Sequence, residues 1–135
     1  MGLLTELFVA TDAEAKAYDH NSADRFRSAK LGGLTNLEFE TLWAILAGEE
    51  WSPKIHALGD IASSNSTWTF KFPRAYIDRL RAVDAQGICD AAKWWAVTEE
   101  LSCEPADLEP VIEQLVSLAR SLDESNESLF VWTSL

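Results

Sequence analysis

The sequence predicts an α+β fold: a helix-rich single domain with a small sheet of about three strands that includes both terminal strands. Three observations carry that expectation. Trp68, Phe70 and Phe72 alternate with Thr67, Thr69 and Lys71, the period-two pattern of a strand with one apolar face. Apolar blocks near the two ends, Leu7-Phe8-Val9-Ala10 and Leu129-Phe130-Val131-Trp132, have the length and composition of strands. Between them, Phe39, Leu42, Trp43 and Leu46 recur at the i, i+3, i+4, i+7 spacing of a helix face.

Taken in order, the first strand is expected over residues 3–10, with Glu6 its one charge. Thr11 and Glu14 form a capping box for a short helix from Asp12 to about Tyr18. Residues 19–33 are charged and irregular, and Gly32-Gly33 marks a loop. A second capping box, Thr35 with Glu38, opens the Phe39–Leu46 helix, and Gly48 supplies its left-handed stop. Pro53 is expected to open a short helix carrying Ile55, Leu58 and Ile61. Pro73 ends the Trp68–Phe72 strand and opens a helix with Ile77, Leu80 and Val83. Asp84 caps a longer helix to about Leu101. Its two adjacent stripes, one through Ala91, Ala92 and Trp95 and one through Trp94, Val97 and Leu101, predict a central, largely buried element. The last helix is expected from about Asp107 to Leu122, with Pro110 in its first turn, where a missing N–H costs little.

Charge bounds the partners. The 135 residues carry 22 acidic and 11 basic side chains, a net charge of −11. Nucleic-acid affinity draws on cations that displace counterions from phosphates, so this field argues against a nucleic-acid partner and against an anionic membrane surface. It is compatible with a basic protein partner. Cys89 and Cys103, outside any C-x-x-C pair, are expected as reduced thiols of a cytoplasmic protein. Residues 1–6 lack the basic start of a signal peptide, and no apolar run approaches the roughly 18 residues of a membrane span.

The Walker lysine loop, the dinucleotide-binding glycines, H-E-x-x-H and G-x-S-x-G are absent. No cofactor is expected, and dispersed imidazoles and thiols do not suggest zinc. The catalytic candidates are His56, Asp60 and Glu50, with Glu49 beside them. His56 and Asp60 share a face if that stretch is helical, and an imidazole beside a carboxylate can act as a general base. The plainer expectation is a surface histidine, and His20 between Asp19 and Asp24 reads the same way.

The binding candidates are Trp94, Glu99 and Glu100. Adjacent residues on a helix point about 100° apart, so Trp94 and Trp95 are both buried only if the helix is surrounded. Otherwise Trp94 lies on an exposed apolar patch and anchors a partner. Glu99 and Glu100 would stand in the last helical turn, where the macrodipole disfavours anions. Either a basic partner or the arginines of the preceding helix, Arg74, Arg79 and Arg81, would offset them.

The opening Gly2-Leu3 with Leu7-Phe8-Val9-Ala10, the segments Leu42-Trp43-Ala44-Ile45-Leu46 and Trp95-Ala96-Val97-Thr98-Glu99-Glu100-Leu101, and Leu129-Phe130-Val131-Trp132 together resemble small bacterial proteins of uncharacterised function. The resemblance covers most of the chain and implies a compact bacterial cytoplasmic protein. It implies no activity, cofactor or catalytic residue. Three functions stay open. The preferred one is a non-catalytic acidic binding or regulatory protein, immunity- or inhibitor-like, that recognises a basic protein partner. The others are a small hydrolase-like or metal-dependent enzyme around His56 and a homo-oligomeric structural protein; the sequence leaves the oligomeric state open.

Overall fold

The computed structural model describes residues 4–18, 25–64, 66–98, 101 and 103–134. Along it run β1 (Leu4–Ala10), α1 (Asp12–Lys16), β2 (Ser28–Gly32), α2 (Asn36–Ala47), β3 (Gly59–Ser63), β4 (Thr67–Lys71), α3 (Arg74–Ala82), α4 (Ala85–Ala96), α5 (Pro105–Ser121) and β5 (Ser128–Ser134). The strands form one sheet in the order β2-β1-β5-β4-β3, and every neighbouring pair is antiparallel. The α+β class is as the sequence predicts, but the sheet has five strands rather than about three. The three expected strands are its centre. The two additional ones are its edges.

β1 and β5 are apolar on both faces because both faces are covered. In their register Leu7 lies opposite Val131, Phe8 opposite Phe130 and Val9 opposite Leu129. Leu7, Val9, Leu129 and Val131 join the core built with α2, α3, α4 and α5. Phe8, Phe130 and Trp132 point to the other side, onto Ala15 and Tyr18. There the Phe8 ring stacks on Tyr18 with centroids 3.8 Å apart. Glu6 is buried in the same layer and accepts the Tyr18 hydroxyl proton at 2.6 Å. In β4 the expected burial is modified: Phe70 packs half-buried on the helical core and Phe72, just past the strand, is fully buried there, but Trp68 is half-buried and the one buried residue within the strand is Thr69, opposite Trp132.

The helix caps read from the sequence are present. Both capping boxes form, and Gly48 closes α2 at φ 70°. Asp84 Oδ1 accepts the Gly87 N–H at 2.7 Å at the start of α4. Three expectations need correction. The segment from Pro53 is a turn over residues 53–55 that leads into β3, whose register shifts between Asp60 and Ala62. The Leu58 N–H goes to the buried Glu40 carboxylate at 3.1 Å instead of into a helix. α4 stops at Ala96, well short of Leu101. α5 starts at Pro105, so Pro105 holds the first helical position and Pro110 lies inside the helix, where it deletes one backbone bond.

The helical core centres on fully buried Phe39, Phe72, Tyr76 and Trp95. The Tyr76 hydroxyl donates to Phe39 O at 2.6 Å, and the Trp95 indole N–H donates to Glu38 O at 2.9 Å. Burial first, and the Glu40 charge second, push the Tyr76 phenol well above its ordinary range. Arginines cover the C-terminal end of α5: Arg81 donates to Ala119 O, and Arg27 donates to Ser121 O.

The turn from α5 into β5 is tied by carboxylates. Asp123 accepts the side-chain and backbone protons of Ser125, and these bonds lower its pKa. Glu127 accepts the Asp123 N–H and the Arg27 guanidinium, which lower its pKa too. A depressed carboxylate stabilises the fold above its unfolded pKa and loses that contribution as pH falls through the folded value. Thermal unfolding midpoints followed from pH 6 downward are therefore expected to fall below about pH 4.5, and to fall less steeply in Glu127→Gln. Equal slopes for the two proteins would refute the assignment.

Candidate binding surface

α4 divides its apolar surface between two fates. Ala91, Ala92, Trp95 and Ala96 are buried, whereas Trp94 is 68% and Val97 75% exposed. The apolar face is as wide as its sequence implies, but protein covers only one stripe of it. The expectation of a surrounded, largely buried helix is thereby corrected. α2 and α5 pack on the Trp95 side, and nothing among the described residues covers Trp94.

Two depressions meet at Trp94 and Ile45. One, of about 280 Å³, is lined by Leu46, Val83, Gly87 and Ala91 in addition. Asp90 stands at its rim. The other, of about 570 Å³, is lined by Gly48, Glu49, Val97 and Thr98 in addition. Among the described residues, no lysine or arginine lines either depression. Lys93 stands next to Trp94 in the chain and is exposed.

Glu49 joins this surface to the histidine singled out from the sequence. His56 is fully buried, which corrects the expectation of a surface histidine; the neighbouring Ile55 is 58% exposed. With no helix at Pro53, the tight turn swings the imidazole inward. Its Nδ1 accepts the Ser52 N–H at 3.0 Å. That assigns the proton to Nε2, which donates to Glu49 Oε1 at 3.1 Å. Trp43 packs edge-on against the ring, with centroids 5.3 Å apart at 85°. Glu49 itself stays about half exposed.

The other candidates lie apart from this pair. Asp60 sits on β3 opposite Phe70 and is exposed, and Glu50 is exposed in the loop after α2. Glu99, Glu100 and His20 fall outside the described residues. Among the described residues, Arg74 pairs with Asp78 and Glu124, and Arg81 also pairs with Glu124.

A second depression of about 570 Å³ lies between α1 and the α5–β5 turn. Its cations are already engaged, Lys71 with Asp12 at 2.9 Å and Arg74 with Glu124 at 2.6 Å. An anion there would have to break these pairs. No group of three His, Cys, Asp or Glu side chains suited to a metal occurs among the described residues. Cys89 and Cys103 are both free and half-buried, and partial burial, with Asp107 and Glu104 nearby, raises the Cys103 thiol pKa. No described helix is long and apolar enough to cross a membrane.

Sequence reasoning left Asp90 unmentioned and gave Ile45, quoted only within the Leu42–Leu46 segment, no part in binding. Ile45 is the apolar wall of both depressions. It sits beside the Phe39-Leu42-Trp43 stripe, one position from Leu46, and is only half-buried. Searches against protein-family models, curated proteins and solved structures return no match for this chain.

Proposed function

We propose that this is a non-catalytic binding protein that receives a basic protein partner on the Trp94 surface. The observation that carries the reading is a tryptophan 68% exposed between two depressions, next to a valine 75% exposed. Leaving such area in water forgoes stabilisation unless another surface covers it, and buried aromatic anchors dominate protein interfaces. The partner's charge follows from the rim. Among the described residues, Glu49 and Asp90 are the charged ones in the two linings, within a chain of net charge −11. A second copy of the chain would set these carboxylates against each other, so self-association is the less favourable occupant.

The enzyme reading has less support. Both His56 nitrogens are engaged and the ring is fully buried, so it cannot touch a substrate in this arrangement. The net charge continues to argue against a nucleic-acid partner.

The test compares wild type with Trp94→Ala and, as a control at another exposed tryptophan, Trp51→Ala. Wild type and Trp51→Ala are expected to capture the same basic protein in stoichiometric amount from native lysate, and Trp94→Ala to lose it. A photo-crosslinking residue at position 97 should attach to that protein. Capture that ignores Trp94, or light scattering that shows a dimer abolished by Trp94→Ala, would overturn the reading.

A further inference from the structure

We infer that the docking element of the partner is an amphipathic helix that lays its apolar stripe astride Trp94 and places a lysine or arginine on Glu49, held for it by buried His56. This inference rests on the binding reading above and specifies its ligand.

The form of the ligand follows from the walls. Gly87, Asp90 and Trp94 recur along α4 at helical spacing, Val97 follows at its C-terminal cap, and Ile45 and Leu46 of α2 line the same depressions. The α4 wall is about 15 Å long, three turns of helix. The walls are helical over most of their length, and where they run past the helix ends the N–H groups of Gly48, Glu49 and Thr98 bond back to Ile45, Ala44 and Trp95, so they present no row of free N–H to an extended peptide. Among the described residues, the sheet makes that offer at its edge strands, β2 and β3, neither of which lines these depressions. A groove between helices with a central aromatic ridge and a depression on each side instead accepts side chains three to seven residues apart on one helical face.

The charged contact follows from Glu49. Its carboxylate lines the larger depression, and its Oε1 accepts from His56 Nε2. His56 is itself fixed by the Ser52 N–H and by Trp43. A surface glutamate is ordinarily free to sample rotamers, and holding it in place lowers the ordering cost of binding. One histidine bond leaves acceptor positions free for an ammonium or a bidentate guanidinium. His56 is thus a positioning residue, acting through Glu49.

The probe is a synthetic 18-residue peptide of leucine and lysine patterned as an amphipathic helix. Its controls are a scrambled isomer and a version with glutamate for lysine. The readout is the indole N–H spectrum of the ¹⁵N-labelled chain, which has six tryptophans. Trp94 is assigned with Trp94→Phe. The leucine–lysine peptide is expected to shift the Trp94 indole and the amides of residues 45–49 saturably at one peptide per chain. The scrambled and glutamate peptides should bind at least about tenfold more weakly. Glu49→Gln should weaken binding about tenfold and Glu50→Gln should not, because only Glu49 lines the groove. His56→Asn should weaken it in the wild-type background and add nothing in Glu49→Gln, which a merely structural role would not produce.

Saturable shifts at Trp94 that ignore Glu49 and peptide pattern would overturn this inference, while the Trp94 surface would stand as a binding site of other specificity. An absence of shifts at Trp94 with all three peptides would overturn it as well. The binding reading would then be judged separately, by whether capture from lysate depends on Trp94.

Discussion

Trp95→Ala is expected to lower the unfolding free energy by about 3–5 kcal/mol, while Trp94→Ala, one residue away, changes it by no more than about 0.5 kcal/mol. The two side chains have the same size and the same helix propensity, so the difference isolates burial. Trp95 is fully buried and tilts against Phe39 with centroids 6.2 Å apart. Its removal leaves a cavity beside Phe39 of α2, and it also orphans the Glu38 carbonyl, which accepts the indole proton at 2.9 Å. Trp94 is 68% exposed, and its loss removes little contact. Urea unfolding of both variants against wild type makes the comparison. A similar loss in both would mean that Trp94 is covered in solution, and the proposed binding surface would fall with it.

His56→Ala is expected to cost about 2–4 kcal/mol. The substitution removes a buried ring that touches Trp43 and leaves the Ser52 N–H without its acceptor at 3.0 Å. His56→Asn separates the contributions. Its amide oxygen can replace Nδ1 as the acceptor for Ser52, while the bond to Glu49 is lost, so a smaller cost is expected. Glu49→Gln should cost less than about 1 kcal/mol, since Glu49 is half exposed and solvent screens the pair. Urea unfolding of the three variants should rank His56→Ala above His56→Asn above Glu49→Gln. A cost for His56→Ala as small as that for Glu49→Gln would show that the imidazole does not brace this turn.

How much was legible depends on where each element sits. The central strands announce themselves because β1 and β5 bury both faces, and β4 alternates half-buried aromatics with polar residues, so their apolar residues are dense or strictly alternating. The edge strands announce little. In β2, Ser-Ala-Lys-Leu-Gly needs only Ala29 buried, and β3 is mostly exposed with a shift in its pairing. Their hydrogen bonds come from a neighbour far along the chain, which local pattern does not encode. α2 was legible down to its caps, because a capping box and a left-handed glycine are local chemistry.

The binding surface was half legible. Sequence spacing separates Trp94 from Trp95 by angle but cannot say which stripe the rest of the chain will cover. His56 misled because its neighbours Ile55 and Leu58 suggested an apolar helix face. The turn instead buries the imidazole, whose two nitrogens find partners in Ser52 and Glu49, and leaves Ile55 in solvent. Hydrogen-bond satisfaction, which depends on backbone geometry, outweighed hydropathy at that position.

The sheet order also sets a timetable for the nascent chain. Emerging from the ribosome, β1 can pair with β2, and β3 with β4, as two separate ladders. Neither can meet the other until Ser128–Ser134 has been made, because β5 is the strand that lies between them. Until then β1 and β4 each present an unpaired edge, with Phe8 and Phe70 on strands still missing a neighbour. These are the segments that a chaperone or an unwanted second chain would find first. Insertion of the last strand therefore completes the sheet and withdraws both hazards in one step.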